Sequence, residues 1–186
     1  MWKFIKSASD QSNWLKHDCL EICFIGRSNV GKSTLINVLA NAKIAKTSKM
    51  PGRTQLINYF QINEQIVLVD LPGYGFANIS KTQQLNISKM INQYFEQKQA
   101  QIVFVLIDAR IGITSSDQEV INYLNDLDYQ IVLILTKCDK VKQTELAKTL
   151  KHSLFQIHPF FKSKINNQHS IEQIKNFIFN LTYSKN

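Results

Sequence analysis

A chain of 186 residues, 44% of them apolar, is long enough to bury one hydrophobic core without disulfides or a structural metal and short for two domains. Its three cysteines are an odd number with no C-x-x-C spacing and no nearby histidine pair, which argues against a disulfide scaffold and a zinc site and for a reduced, cytosolic protein. The net charge of +8 points toward a polyanionic partner such as nucleic acid or a ribosome, and no apolar run approaches the ~18 residues of a membrane span.

Met1 to Lys16 holds lysines but no arginine and no apolar core of signal-peptide length, so it reads as a short segment ahead of the first strand. Neither Trp2 nor the terminal Tyr183-Ser184-Lys185-Asn186 offers a lipidation site. Residues 1–19 are therefore expected to precede a single domain over 20–186. The apolar run Leu20–Ile25 predicts a buried strand and Lys32–Asn41 a helix. Between them Gly26-Arg27-Ser28-Asn29-Val30-Gly31-Lys32-Ser33 is a complete G-x-x-x-x-G-K-S phosphate loop, with Thr34 beginning the next turn. In such a loop the backbone N–H groups curl around a β-phosphate, the lysine lies between β- and γ-phosphates, and the Ser33 hydroxyl can ligate Mg²⁺.

A basic stretch with Lys43, Lys46, Lys49 and Arg53 follows, and then the strand Leu56–Ile62. Thr54, ahead of that strand, is a candidate to complete a Mg²⁺ shell; Thr47 competes, but its distance from the strand favours Thr54. The strand Ile66–Leu71 runs into Asp70-Leu71-Pro72-Gly73. Asp70 would hold a Mg²⁺-bound water, and the Gly73 N–H would reach a γ-phosphate.

Further on, Lys81–Gln97 predicts a helix, Ile102–Ile107 a strand, Ser115–Leu127 a helix capped by Ser115 or Ser116, and Ile131–Leu135 a strand. Thr136-Lys137-Cys138-Asp139 follows that strand at once. A carboxylate at Asp139 can accept from both N1–H and N2–H of guanine, and adenine would leave it unpaired. Mismatched polar sites of this kind discriminate by roughly 10⁴ or more. Lys137 would lay its stem along the base. A helix over Thr144–Phe155, a short strand His158–Phe161 and a helix Ser170–Leu181 capped by Ser170 complete the chain. The alternation predicts an α/β fold, a mostly parallel six-stranded sheet flanked by helices, with ligands at the C-terminal strand ends.

Lys140 to Asn186 carries eight lysines against Glu145 and Glu172, which concentrates the positive charge in the last quarter. The four histidines, His17, His152, His158 and His169, have no acidic or nucleophilic neighbour in a catalytic pattern and read as structural or surface residues. A phosphotransferase would also use a phosphate loop but has no need of T-K-x-D. A membrane-trafficking GTPase needs an anchor, and a purely structural RNA-binding protein needs no Mg²⁺ ligands. Three ordered motifs thus favour a P-loop GTPase.

The stretches GRSNVGKSTLIN (26–37), PGRTQLINYF (51–60), DLPGYGFA (70–77), DARIGITSSD (108–117) and TKCDK (136–140) resemble the EngB family (also called YsxC or YihA), GTPases of bacterial large-subunit ribosome assembly. The resemblance spans about Leu20 to Leu181. It implies one GTP-binding domain that hydrolyses GTP to GDP, uses Mg²⁺ held by Ser33, Thr54 and Asp70, and acts as a monomer on the large ribosomal subunit. It places Lys32, Thr54 and Gly73 in catalysis and adds Gly52 and Arg53 to the nucleotide contacts. By the same resemblance Asn29 suggests a K⁺ site. A base-contacting serine is expected after the last strand; Ser163 is the nearest candidate, although Asn166-Asn167-Gln168-His169 stands where a glycine usually precedes the final helix. Tyr74 replaces the water-orienting glutamine of many GTPases, and a phenol on a mobile loop there implies slow intrinsic hydrolysis.

Overall fold

Seven strands and six helices alternate along the chain in the computed structural model, which describes residues 2–46, 56–75 and 80–182. The strands are β1 (Lys3–Ala8), β2 (Leu20–Gly26), β3 (Ile57–Gln61), β4 (Ile66–Asp70), β5 (Ile102–Asp108), β6 (Gln130–Thr136) and β7 (Phe160–Lys162). The helices are α1 (Lys32–Ala40), α2 (Lys81–Glu96), α3 (Ser115–Asp126), α4 (Gln143–Thr149), α5 (Leu154–Ile157) and α6 (Gln168–Asn180). All seven strands form one sheet in the order β1-β3-β4-β2-β5-β6-β7. Pairing is parallel from β4 through β7 and antiparallel at β1–β3 and β3–β4.

The sheet therefore has seven strands rather than the six expected. The extra one, β1, comes from the segment read as preceding the first strand. Its residues alternate weakly, with only Ala8 buried, because it lies at an edge with one side open. Asp10 caps a short 3₁₀ turn at Gln11–Asn13, and Trp14 then packs on Tyr94 edge to face. His17 and the Tyr94 hydroxyl, 2.9 and 2.6 Å away, both bond the buried Glu21 carboxylate, which ties the entry segment to α2.

Strand periodicity divides the core. Cys23, Ile25, Val103, Val105, Leu133 and Leu135 point to the face covered by α2, α3 and the α4–α5 region. Ile22, Phe24, Phe104, Leu106, Val132 and Ile134 point to the other, where Leu35, Ile36 and Leu39 of α1 meet Ile171, Ile174 and Ile178 of α6.

The single helix expected over Thr144–Phe155 is two short helices. His152 accepts the Leu154 N–H on its ring nitrogen, an alternative to the helical ladder, and the chain turns there before Leu154 and Phe155 are buried. The caps also move. Thr114, not Ser115 or Ser116, caps α3 in a reciprocal box with Asp117. Asn167, not Ser170, caps α6; the Ser170 hydroxyl instead bonds the Lys164 and Asn167 carbonyls at 3.0 and 2.9 Å. No described helix is long and apolar enough to cross a membrane.

Candidate nucleotide site

Four adjacent parallel strands, β4, β2, β5 and β6, end in Asp70, Gly26, Asp108 and Thr136, so the polar residues of separate motifs converge on one rim of the sheet. The chain leaves the central β2 for β4 on one side and returns to β5 on the other, the topological switch point at which α/β sheets bind ligands.

The phosphate loop fits an anion. Gly31, at φ 105°, caps α1 in the left-handed region, which glycine adopts without strain and which turns the loop into the helix. The N–H groups of Lys32, Ser33 and Thr34 open the first turn and have no acceptor among the described residues. Lys32, 8% exposed, pairs its ammonium with the buried Asp70 carboxylate, which also accepts from Asn58 Nδ2 at 3.4 Å. A hydroxyl at Ser33 and a carboxylate at Asp70 are hard oxygen donors of the kind Mg²⁺ takes.

Asp70-Leu71-Pro72-Gly73 lies directly on this loop. Leu71 N donates to Phe24 O, Tyr74 N to Gly26 O, and Ser28 N to Tyr74 O, at 3.1, 3.2 and 2.9 Å. A Cβ on Gly73 would lie 3.0 Å from Ser28 N and 3.1 Å from Ser28 Cα, so a side chain there would push the phosphate loop back by a few tenths of an ångström. Tyr74 is anchored rather than loose. Its hydroxyl donates to Asp117 Oδ1 at 2.8 Å, while Thr114 N and Oγ1 donate to the other carboxylate oxygen. Burial and the Asp117 charge push the Tyr74 pKa up and keep it a donor.

The Thr136-to-Asp139 loop closes the site from β6. Thr136, 3% exposed, gives its hydroxyl to Val30 O at 2.7 Å, and Lys137, at φ 59°, gives its ammonium to Asn29 O at 2.6 Å. Asp139 stands exposed in a 3₁₀ turn at Cys138–Lys140. Ser163, just past β7, is 1% exposed and accepts Cys138 N on its carbonyl at 3.2 Å, which sets it behind the same loop. The predicted residues Gly26 to Thr34, Asp70 to Gly73, Thr136, Lys137, Asp139 and Ser163 thus gather at one rim. Gly52, Arg53 and Thr54 lie outside the described residues.

Two groups escaped the sequence reading. Asp108 at the end of β5 accepts from Lys137 Nζ at 2.7 Å, and Arg110 grips the same carboxylate at 2.9 and 2.7 Å. Asn37 on α1 accepts Ile44 N and Ala45 N at 2.9 and 2.7 Å and donates to Ala45 O, fixing the chain that leaves the helix. Asp108 had a signal, its place at a strand's C-terminal end; Asn37 had none beyond being polar in an apolar helix.

A family profile described as "50S ribosome-binding GTPase" matches residues 21–137. A probable GTP-binding protein EngB of Metamycoplasma arthritidis is 53% identical over 167 residues, covering 89% of this chain and 88% of the relative. One from Fusobacterium nucleatum is 42% identical over 184 residues, covering 94% and 93%. Among solved structures, a probable GTP-binding protein EngB superposes with a TM-score of 0.69 at 28% identity, over 89% of this chain and all of that one. Era of Aquifex aeolicus bound to GDP·AlF₄⁻ matches at 0.67 and 22% identity over 86% and 56%, a likeness of fold.

Proposed function

The chain belongs to the EngB family of GTP-binding proteins and is a P-loop GTPase, and from that premise we propose that it works as a nucleotide-dependent switch on the large ribosomal subunit during its assembly. The observation that supports the nucleotide half of this reading is the clasp of Thr136 and Lys137 on the carbonyls of Val30 and Asn29, which joins the loop proposed to read the base to the loop proposed to hold the phosphates. The partner half is supported by the family description and by lysines 140, 142, 148, 151, 162, 164 and 175, none of which forms an ion pair with a described residue.

In this reading the first-turn amides of α1 and the Lys32 ammonium bind the β- and γ-phosphates, and Asp139 accepts from guanine. Ser33 and Asp70, with Thr54, would hold Mg²⁺, which neutralises the phosphate charge when bound. Gly73, close against Ser28, is placed to sense a γ-phosphate through its N–H. Tyr74 commits its hydroxyl to Asp117 and so is not free to orient water at the position after Gly73, and intrinsic turnover is slow until the partner or K⁺ near Asn29 assists. Equal turnover in K⁺ and Na⁺ removes the K⁺ part of this reading.

Co-sedimentation of the protein with purified large and small subunits, in GDP and in a non-hydrolysable GTP analogue, tests the switch. Pelleting with the large subunit in the triphosphate state alone is expected. Absence of pelleting in both states would leave a guanine-nucleotide switch with another RNA or protein partner.

A further inference from the structure

The DARIG segment that begins at the last residue of β5 has no part in the function derived so far, yet it holds the most heavily bonded carboxylate of the rim. Asp108 is 7% exposed and accepts four hydrogen bonds. Arg110 N and Nε reach Oδ1 at 3.1 and 2.9 Å, and Arg110 Nη2 and Lys137 Nζ reach Oδ2, both at 2.7 Å. Burial alone would raise its pKa, but the Arg110 and Lys137 bonds outweigh burial and hold it at about 2, so the group is a fixed anion at neutral pH.

Lys137 links that cluster to the phosphate loop. It sits in a left-handed backbone at φ 59°, with its ammonium shared between Asp108 Oδ2 and Asn29 O, the latter at 2.6 Å. Its stem runs beside the phosphate loop, with Cε 3.6 Å from where a Cβ on Gly31 would lie. A four-carbon chain with a free end would sample many rotamers; one clamped at its end by a charged acceptor presents a single face. Arg110 in turn fixes the carboxylate with a bidentate grip, so Oδ2 cannot swing away from the lysine.

The geometry points to Asp108 as a positioning residue for guanine recognition: it clamps the Lys137 ammonium against Asn29 O, which stretches the lysine stem into a platform for the base and couples the base loop to the phosphate loop. Asp108 touches no nucleotide itself and acts only through Lys137. This inference rests on the reading of Thr136 to Asp139 as the guanine loop.

A double-mutant cycle separates the two ideas. Affinity for a fluorescent GDP analogue is measured for Asp108→Asn, Lys137→Met and the pair, with inorganic tripolyphosphate as a competitor that has no base. Losing a hydrogen bond between charged groups predicts that Asp108→Asn weakens GDP binding by about tenfold in the parent, yet by less than about twofold in the Lys137→Met background. Tripolyphosphate affinity is expected to change by less than about threefold in Asp108→Asn, because the cradle amides are untouched. Asp108→Glu, which keeps the charge, is expected to restore GDP binding. Should Asp108→Asn fail to fold, Asp108→Ser, which also removes the carboxylate, is measured in both backgrounds, and a loss of about tenfold is expected only where Lys137 is present. An equal loss with and without Lys137, or no loss at all, overturns the positioning role. Unchanged GDP affinity in both Lys137→Met and Asp139→Asn overturns the guanine-loop reading, and the Asp108 role with it.

Discussion

Asp139 is exposed, so the guanine-reading role proposed for it would rest on geometry rather than on burial of the carboxylate. Replacement by asparagine turns one acceptor oxygen into a donor that suits the 2-oxo group of xanthine. Asp139→Asn is expected to lose GTP affinity and gain xanthosine triphosphate affinity in a competition assay; unchanged GTP affinity refutes its role in reading the base. Tyr74 is a second residue whose part shows only in three dimensions. Tyr74→Phe removes the bond to Asp117 and is expected to cost about 1–2 kcal/mol in urea unfolding. Equal stability of the two proteins would mean that the hydroxyl and Asp117 are not paired in solution. That the Gly26 to Ser33 loop, Asp70 and Asp139 lie at or just past strand ends was legible in the sequence, because each motif is contiguous and follows an apolar run. Asp108 and Asp117 were not, because their partners Lys137 and Tyr74 lie 29 and 43 residues away and no local spacing announces such pairs.

At the level of elements, periodicity found the strands that are buried on both faces and missed β1. An edge strand with one buried residue leaves almost no apolar signature, and its partner β3 supplies the pairing that holds it. Helix interiors were legible and their ends less so, since Ser, Thr and Asn stand close together before both α3 and α6 and only the backbone angles select among them. Thr114, at φ −102° and ψ 169°, is extended and has Asp117 three residues on to close the box. Thr114→Ala is expected to destabilise the protein by about 1 kcal/mol, while Ser115→Ala costs less than half of that by thermal or urea unfolding. The reverse order would return the cap to Ser115.

Over the whole molecule, lysines 140, 142, 148, 151, 162, 164 and 175 lie in the part of the chain that follows β6, the strand that leads into Thr136 to Asp139. If they meet phosphates of ribosomal RNA, large-subunit binding is expected to weaken by roughly a hundredfold or more between about 50 and 200 mM salt. A flat salt profile would remove these lysines from the contact. The sequence alone made this clustering along the chain legible. Strand order could not be read from the sequence, because β1 and β3 join the sheet by backbone pairing that side-chain patterns do not encode.

That strand order also has a consequence for synthesis. Four strands from the amino-terminal half, β1, β3, β4 and β2, are contiguous in the sheet, and the later β5, β6 and β7 form the remainder. A chain emerging from its amino end therefore has β1 to β4, with Lys32 and Asp70 included, before β5, β6 and β7 exist. The apolar flank of α1, however, waits for Ile171, Ile174 and Ile178 of α6, so its last cover arrives only after all seven strands have been synthesised.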